Sequence, residues 1–269
     1  MADSDSRPFL ELQNVSYRYA DGTLALDSLC LEVRPGERLA VLGSNGCGKS
    51  TLLKLLDGLI FPTSGVFRAF GVEMSEAALQ DDQFSQAFRQ KIGFIFQRSD
   101  VQLFSPTVWD EIAFGPLQLG LDAASVRVRV ADVVAMLDLG RICDRAPYQL
   151  SGGEQKKVAI AATLAVNPQA LLMDEPTAAL DPRSQRWLLD LLQTLSRSGK
   201  TLIVTTHDLD LAPVLCDRAV VLGPDHRVER DGAIGAILAD HDLLHRANLA
   251  HHHPITGQVY GAHVHPDSN

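Results

Sequence analysis

The sequence predicts an α/β fold organised around a parallel sheet. Three short apolar runs carry this prediction, because strands buried on both faces of a parallel sheet read as continuous aliphatic segments. The runs lie at residues 39–42, 170–173 and 201–204. Segments with helical periodicity alternate with them, most clearly at residues 123–139 and 151–166, and such alternation is typical of α/β proteins.

The bulk composition is that of an ordinary globular protein of 269 residues, with 46% hydrophobic and 21% charged residues. The formal net charge of -9 argues against a general nucleic-acid binder, because such proteins need a basic face. The cysteines are scattered without a CxxC pair, which predicts reduced thiols rather than a disulfide framework. The polar N-terminus does not resemble a signal peptide, and residues 167–169 interrupt the longest uncharged apolar stretch, so we expect no membrane span.

The segments outside the three apolar runs follow other patterns. Residues 9–33 are rich in alternating and β-branched positions around an Asp21-Gly22 turn, which predicts antiparallel strands. The pattern is helical between residues 104 and 166. Beyond about Asp231 we expect one helix and then a histidine-rich tail.

A glycine-rich stretch follows the apolar run at residues 39–42. It reads Gly43-Ser44-Asn45-Gly46-Cys47-Gly48-Lys49-Ser50-Thr51 and matches the phosphate loop G-x-x-x-x-G-K-[ST], with a helix expected from near Thr51. The glycines let backbone N–H groups converge on phosphates at a helix N-terminus. Lys49 is predicted to reach the β- and γ-phosphates and Ser50 to hold Mg²⁺. Cys47 lies near Lys49 at the helix start, where we expect a lowered thiol pKa and high reactivity.

Two adjacent acids, Asp174 and Glu175, follow the apolar run at residues 170–173. Unpaired carboxylates at the end of a buried strand are costly, which leaves few purely structural explanations. Asp174 is placed to reach Mg²⁺, and Glu175 is the natural general base for an attacking water. Kinases, GTPases and motor ATPases share the phosphate loop, and this acid pair narrows the choice among them.

The stretch LSGGEQKKVAIA at residues 150–161 resembles the signature of ATP-binding-cassette (ABC) ATPases. The resemblance covers residues 9–244, taken as the ABC ATPase domain, and leaves a histidine-rich tail at residues 245–269. It implies a P-loop NTPase with a RecA-like parallel sheet core, an antiparallel β-subdomain and a helical subdomain that carries the signature. ATP and Mg²⁺ are the implied cofactors.

The resemblance also assigns roles to single residues. Tyr19 matches an aromatic that stacks on adenine, with Tyr17 as its competitor, while Gln97 matches the Q-loop and His207 the switch histidine. Residues 179–181 match the D-loop. Catalytic roles are expected for Lys49, Gln97, Glu175 and His207, and Mg²⁺ binding for Ser50, Gln97 and Asp174. Nucleotide binding is expected for Tyr19, the phosphate loop from Gly43 to Thr51, and the signature residues Ser151, Gly152 and Gly153.

The signature explains why such ATPases work as dimers. Ser151-Gly152-Gly153 opens a helix, so its free N–H groups and positive dipole end point toward an anion. In relatives that anion is the γ-phosphate held by the other subunit, which implies a homodimer formed through ATP. A local reading as a helix N-cap by Ser151 holds as well. Glu154 stands where many relatives have glutamine, and we expect little effect from this change.

Two further stretches narrow the resemblance. Residues 96–116, FQRSDVQLFSPTVWDEIAFGP, and residues 16–26, SYRYADGTLAL, look like energy-coupling-factor transporter ATPases, most closely the cobalt and nickel uptake branch. This implies a subunit at the cytoplasmic face of the membrane, partnered by an integral-membrane coupling subunit and a substrate-binding membrane subunit. Gln97, Asp100, Phe104, Asp110 and Glu111 are candidates for the groove that receives the coupling subunit. The alternative for these positions is a solvated acidic face with a core phenylalanine.

Other functions remain open on the sequence alone. The chain could serve a vitamin-importing energy-coupling-factor complex, or it could be a non-transport ABC ATPase of DNA repair or translation. The absence of a coiled-coil insertion and the acidic balance argue against the second. A P-loop kinase is a further alternative, which the signature disfavours.

The tail contains histidines that suit divalent transition metals, because neutral imidazole is a good ligand for Co²⁺ and Ni²⁺. Two more lie four residues apart, at His241 and His245, and would share one face of a helix. A flexible solvated tail with incidental histidines is the alternative. The tail histidines are His251, His252, His253, His263 and His265.

Overall fold

A computed structural model of the protein describes residues 7–252 and 259–261, with side chains described up to Leu249. The strands in this part of the chain are β1 (Leu10–Arg18), β2 (Leu24–Val33), β3 (Arg38–Leu42), β4 (Ser64–Ala69), β5 (Val72–Glu73), β6 (Ile92–Ile95), β7 (Ala170–Asp174), β8 (Thr201–Thr206), β9 (Arg218–Leu222), β10 (Val228–Ala233), β11 (Ala250–His252) and β12 (Val259–Gly261). The α-helices are α1 (Lys49–Leu56), α2 (Glu76–Leu79), α3 (Asp82–Lys91), α4 (Val108–Gln118), α5 (Ala123–Met136), α6 (Gly152–Ala165), α7 (Pro182–Arg197), α8 (Ala212–Leu215), α9 (Ile234–Leu238) and α10 (His241–Arg246).

The central sheet has the strand order β10-β9-β3-β8-β7-β6. Strands β9, β3, β8, β7 and β6 are parallel, and β10 joins the β9 edge in antiparallel orientation. The three predicted apolar runs are β3, β7 and β8, which confirms the predicted α/β fold. Alternate residues of β3 pack into two different hydrophobic cores. Leu39 and Val41 belong to one core, and Ala40 and Leu42 belong to the other. Both faces of the sheet are therefore covered.

A second, antiparallel sheet has the order β2-β1-β4-β5, with β1 and β2 joined through the Asp21-Gly22 turn. This confirms the antiparallel strands predicted for residues 9–33. Helix α1 lies beneath this sheet, because its buried leucines share a core with Leu12 and Leu29. The helix that carries the phosphate loop is thus packed against both sheets.

The helical segment consists of α4, α5 and α6, which pack together through buried residues such as Ile112, Val130 and Ile160. Helix α6 begins at the signature, and a short turn connects it to β7. The helices predicted at residues 123–139 and 151–166 are confirmed, although α5 ends earlier, at Met136. Helix α1 begins at Lys49, slightly before the predicted position near Thr51.

The C-terminal region differs from the expectation of one helix beyond about Asp231. Strand β10 continues to Ala233, and two short helices, α9 and α10, follow. Ala247 and Leu249 are buried in the same core as the central sheet, so the packed chain continues past the predicted boundary between residues 244 and 245. Backbone pairing of β11 with β12 forms a short hairpin after this core. Among the described residues, no helix is long and apolar enough to cross a bilayer.

Candidate functional site

The glycine-rich loop connects β3 to α1 in a conformation that requires glycine. Gly48 has a φ of +114°, and a Cβ placed there would lie 2.4 Å from the carbonyl oxygen of Ala25. Only glycine avoids both the strained backbone and this clash. Lys49 Nζ, which is buried, donates to the carbonyl oxygens of Gly43 at 2.7 Å and Ser44 at 3.0 Å. The Lys49 side chain therefore folds back over the phosphate loop that precedes α1.

The acid pair predicted to end β7 is held by the neighbouring strand. The Thr205 hydroxyl on β8 donates to Asp174 Oδ1 at 2.6 Å and accepts from the Glu175 N–H at 2.9 Å. Asp174 is buried, and the Thr205 bond uses only its Oδ1. Thr205 thus holds the Asp174 side chain and the Glu175 backbone at the carboxyl edge of the sheet, where open α/β sheets bind ligands.

Gln97, His207 and Lys49 converge on the carboxylate of Glu175. Gln97 Nε2 donates to Glu175 Oε2 at 3.1 Å, and His207 Nδ1 lies 3.0 Å from Oε1. Lys49 Nζ lies 3.9 Å from the same Oε1. Glu175 has a φ of +42°, a left-handed conformation that is uncommon outside glycine and that concentrates at functional sites. The structure therefore brings together all four residues predicted to be catalytic.

A cavity of about 510 Å³ opens beside this cluster. It is lined by the phosphate loop, by residues 23–25 at the start of β2, and by Gln97 and Glu175. Its lining includes the predicted nucleotide residues Tyr19, Asn45, Gly46, Gly48, Lys49, Ser50 and Thr51. Gly43, Ser44 and Cys47 complete the loop without lining the cavity.

Tyr19 lines the cavity and is 39% exposed. Its hydroxyl makes a 2.8 Å hydrogen bond with Thr51 Oγ1, which ties the aromatic to the phosphate loop. Tyr17 packs edge-on against Tyr19, with ring centroids 5.1 Å apart, and contacts the core instead. Tyr19 is therefore the tyrosine of this pair that presents a ring to the cavity.

The signature residues Ser151, Gly152 and Gly153 do not line this cavity. Ser151 caps α6, and its N–H and hydroxyl donate to Glu154 Oε2 at 2.9 and 2.7 Å. These bonds, led by the Ser151 hydroxyl, hold the pKa of Glu154 below its usual value. A Cβ added at Gly152 would meet no heavy atom within 4 Å, so this glycine faces open space. The signature is thus presented outward, away from its own chain's cavity.

Cys47 corrects an expectation from the sequence. Its side chain is buried, and burial raises the pKa of the thiol, although the nearby Lys49 charge acts in the opposite direction. The helix start does not expose the sulfur, because the Cys47 side chain points into the core beneath the loop. The prediction of a lowered pKa and high reactivity for the Cys47 thiol is therefore wrong.

The residues proposed for a docking groove separate into two kinds. Glu111 is buried and accepts from the N–H groups of Phe104 at 2.9 Å and Ser105 at 2.7 Å, so it braces a loop and faces neither solvent nor a groove. Phe104 is 67% exposed and packs edge-on against the exposed Phe114, so the core alternative is wrong for it. Asp100 and Asp110 are exposed, as is Gln97.

The predicted histidine pair lies on α10, where His241 and His245 are one turn apart and exposed. His251 and His252 belong to β11, whereas His253, His263 and His265 lie outside the described residues. Within the part of the chain that the structure describes, no group of three or more His, Cys, Asp or Glu residues could hold a metal ion.

Sequence reasoning missed three contributors to this site. Thr205 was visible only as part of a strand, and its bonds to two acids depend on the β7–β8 register. Lys156 was noted only within the signature stretch, and His226 was not singled out. His226 lines the cavity from the β9–β10 turn, far from the phosphate loop in sequence. His226 and the phosphate loop come together only because the sheet order places β9 beside β3.

Comparison with known proteins identifies the class. A family model described as ABC transporter matches residues 26–178. The chain is 47% identical over 245 residues to the nickel import ATP-binding protein NikO of Rhodobacter capsulatus, covering 90% of this chain and 96% of that protein. It is 41% identical over 242 residues to the energy-coupling factor transporter ATP-binding protein EcfA2 of Methanospirillum hungatei, covering 90% of this chain and 60% of that protein.

Two solved structures share the fold. The first is cbiO1 from Clostridium perfringens, described as part of the ABC transporter complex cbiONQ, with a TM-score of 0.76 and 33% identity over 91% of this chain and 96% of that one. The second is the dimeric cassette MJ0796 in a post-hydrolysis state with ADP and Pi, with a TM-score of 0.74 and 33% identity over 84% of this chain and 98% of that one.

The chain belongs to the ABC transporter family, and it is an ATP-binding ATPase with the ABC fold. Within that family it resembles the energy-coupling-factor type, including nickel import ATPases.

Proposed function

We propose that the chain is the ATP-hydrolysing subunit of an energy-coupling-factor importer that drives uptake of a divalent transition metal, cobalt or nickel. The observation that carries the hydrolytic part is the convergence of Gln97, His207 and Lys49 on the Glu175 carboxylate beside the phosphate loop. The metal substrate is supported by the nickel import relative from Rhodobacter capsulatus.

In this proposal Glu175 is the general base. The Glu175 side chain is only 12% exposed, and His207 and Gln97 each bond to one carboxylate oxygen, so the direction of the carboxylate is fixed before a water arrives. A carboxylate accepts the His207 bond, so Nδ1 carries the proton there. His207 then orients the base and the γ-phosphate, and Lys49 places positive charge where phosphate charge develops.

The residues predicted for Mg²⁺ fit a hard cation. Ser50, Gln97 and Asp174 offer hydroxyl, amide and carboxylate oxygens, the donors that Mg²⁺ prefers. Gln97 uses its amide nitrogen on Glu175, which leaves its Oε1 unengaged by that bond, and Asp174 gives only Oδ1 to Thr205. When bound there, Mg²⁺ would neutralise charge on the β- and γ-phosphates. Asp174 and Ser50 would hold it between the strand and the loop.

A complete site requires two copies of the chain. The signature lies outside its own cavity, and the free N–H groups at the start of α6 suit a terminal phosphate. We propose a homodimer in which Ser151, Gly152 and Gly153 of one copy close the nucleotide site of the other. The dimeric MJ0796 cassette supports this arrangement.

The membrane partners would meet the chain beside Gln97. Exposed apolar side chains follow Gln97 in the sequence, among them Val101 and Phe104, and exposed apolar surface is typical of interaction sites. Phe104 and Phe114 are in contact, and Asp100 and Asp110 are exposed nearby in the sequence. We propose that an integral-membrane coupling subunit docks on this surface and that a second membrane subunit binds the metal. The chain would then be peripheral, at the cytoplasmic face.

Reconstitution tests this function. The chain and its membrane subunits, in vesicles loaded with MgATP on the ATPase side, should take up radiolabelled Ni²⁺ or Co²⁺, and Glu175→Gln should abolish uptake. Matched vesicles without the chain provide the background. ATP-dependent uptake of a labelled vitamin with no uptake of either metal would overturn the metal substrate. ATPase activity with no partner recovered from detergent extracts of the native membrane would overturn the transport role.

A further inference from the structure

The turn between β9 and β10 lies directly against the phosphate loop. One residue of this turn, His226, places Nδ1 3.2 Å from the carbonyl oxygen of Cys47. Because a carbonyl oxygen only accepts, His226 donates from a protonated Nδ1. The imidazole also lines the cavity described above. A side chain from the far end of the chain thus reaches the loop proposed to bind phosphate.

His226 occupies a backbone conformation that favours glycine. Its φ is +65°, which costs free energy for a residue with a Cβ. Strained conformations of this kind persist only where surrounding contacts fix them, and they concentrate at functional sites. A glycine would satisfy the turn at lower conformational cost. The histidine therefore needs an explanation that the turn itself does not provide.

The turn is held in place without the imidazole. The main-chain oxygen of His226 accepts from the N–H of Asp27 at 2.9 Å. The neighbouring Arg227 forms an ion pair with the Asp27 carboxylate at 2.7 Å. Both contacts join the turn to β2 and involve no atom of the His226 ring. The bond from the ring to Cys47 is thus separate from the contacts that attach the turn.

The Cys47 carbonyl belongs to the same peptide unit as the Gly48 N–H. A trans peptide is planar, so its C=O and N–H point in opposite directions. A donor that fixes the Cys47 oxygen on one side therefore aims the Gly48 N–H to the other. Gly48 lines the cavity and caps α1, where N–H groups bind phosphate. Its φ of +114° belongs to a region in which glycine is otherwise free to rotate.

We propose that His226 is a positioning residue of the nucleotide site, which fixes the Cys47–Gly48 peptide so that the Gly48 N–H meets a phosphate oxygen. The ligand class is a nucleoside di- or triphosphate, and the inference rests on the proposed nucleotide site. Gly48 makes the loop flexible, and the His226 side chain removes that flexibility at the Cys47–Gly48 peptide.

The test compares His226→Gly with the parent chain, both in a Glu175→Gln background so that ATP persists. ATP affinity is measured by calorimetry with Mg²⁺, and stability is measured by denaturant unfolding without nucleotide. We expect the dissociation constant to rise about five-fold, the worth of one net hydrogen bond. The unfolding midpoint should stay equal or rise, because glycine relieves the strained turn. His226→Asn, which tolerates positive φ and carries an amide donor, should recover part of the affinity.

Asn248→Gly is the matched control, because Asn248 also has a positive φ, at +57°, and is exposed far along the chain from the loop. It should leave ATP affinity unchanged. Unchanged affinity in His226→Gly would overturn the inference, as would a loss of affinity that accompanies a loss of stability. Failure of the parent to bind ATP would instead overturn the proposed nucleotide site.

Discussion

Lys156 on the signature helix is bonded to the backbone of Gln97 in the Q-loop, with Nζ 3.0 Å from the Gln97 carbonyl oxygen. The same ammonium group donates to the carbonyl oxygen of Phe96 at 3.0 Å. Its side chain is buried, and burial lowers the pKa of Lys156 to about 8, although the Asp174 carboxylate opposes the shift. One buried cation therefore joins the helix of the signature to the segment that contacts Glu175.

The lowered pKa of Lys156 predicts a pH dependence of stability. Between pH 8 and its usual 10.5, the unfolded chain holds the proton that the folded chain has released. Stability from this group therefore rises with pH across that window, by up to about 1.4 kcal/mol per pH unit. Denaturant unfolding of the wild type and Lys156→Met at pH 7.5, 8.5 and 9.5, roughly spanning the onset of this window, should show the difference moving in favour of the wild type. A constant difference would contradict the buried lysine.

Glu175→Gln should retain ATP binding and lose hydrolysis, because an amide cannot take the proton of water. General bases contribute about 10²- to 10⁴-fold, and the loss of phosphate release should fall in that range. ATP-bound dimers should then persist in size-exclusion chromatography with light scattering. Glu76→Gln, at an exposed first-turn position of α2, is the matched control and should keep the wild-type rate. Wild-type hydrolysis by Glu175→Gln would remove this residue from the mechanism.

Mixing two inactive variants should restore part of the activity. Lys49→Ala removes the buried amine of the loop, and Gly152→Asp adds a negative charge where a Cβ meets no neighbour within 4 Å. The second change should repel phosphate without disturbing the fold. A mixed dimer contains one intact composite site, so ATPase activity above that of either variant alone is expected. Circular dichroism checks that both fold, and full activity in either homodimer would exclude a shared site.

Thiol labelling should find Cys30 first. Cys30 is exposed, whereas burial raises the pKa of Cys47 and brings that of Cys216 to about 12. An aromatic disulfide reagent at pH 8, a pH near the usual thiol pKa of about 8.5, should label one thiol per chain rapidly, and Cys30→Ser should remove that phase. MgATP should leave the phase unchanged. Rapid modification of Cys47, identified by peptide mass spectrometry, would contradict its burial.

Truncation after Leu249 should remove metal binding by the tail and spare the ATPase. Leu249 is buried, so the shortened chain keeps its core, and every nucleotide motif lies upstream. Calorimetry at neutral pH should show Ni²⁺ or Co²⁺ binding that disappears near pH 5, below the usual histidine pKa of about 6.5. A double variant, His241→Ala with His245→Ala, separates the exposed pair on α10 from the tail. Unchanged binding after truncation would leave the tail histidines without a metal role.

The sequence predicted the parts of this molecule that local patterns encode. Buried runs such as residues 170–173 and the phosphate loop each consist of contiguous residues, so a local pattern identifies them. The structure has a strand at residues 170–174 and the phosphate loop at the cavity, as expected. Glu111 was misassigned because an acid at a helix start reads as solvated, whereas two loop N–H groups turn it inward. Cys47 was misassigned because the direction of its side chain depends on packing beneath the loop.

The positions missed by sequence reasoning depend on contacts between distant strands. His226 reaches Cys47 across a separation of 179 residues, and Thr205 reaches Asp174 across 31. Neither belongs to a contiguous motif, and each acquires its role from strand order and register. Patterns within a single segment cannot reveal such pairs, because contacts between residues far apart in sequence depend on the whole fold.

Helix α6 is followed directly by strand β7, and this connection has a consequence for how the two nucleotide sites of a dimer would be coupled. Helix α6 starts with the residues that each copy would lend to its neighbour, and β7 ends with the acid that each copy keeps for its own nucleotide. Buried side chains such as Val158 and Ile160 pack the helix into the core, so we expect movement at one end to displace the other end. A dimer built this way should respond cooperatively to ATP, because occupancy of one nucleotide site alters the geometry of the other. By linkage, the coupling between the two binding events must be reciprocal.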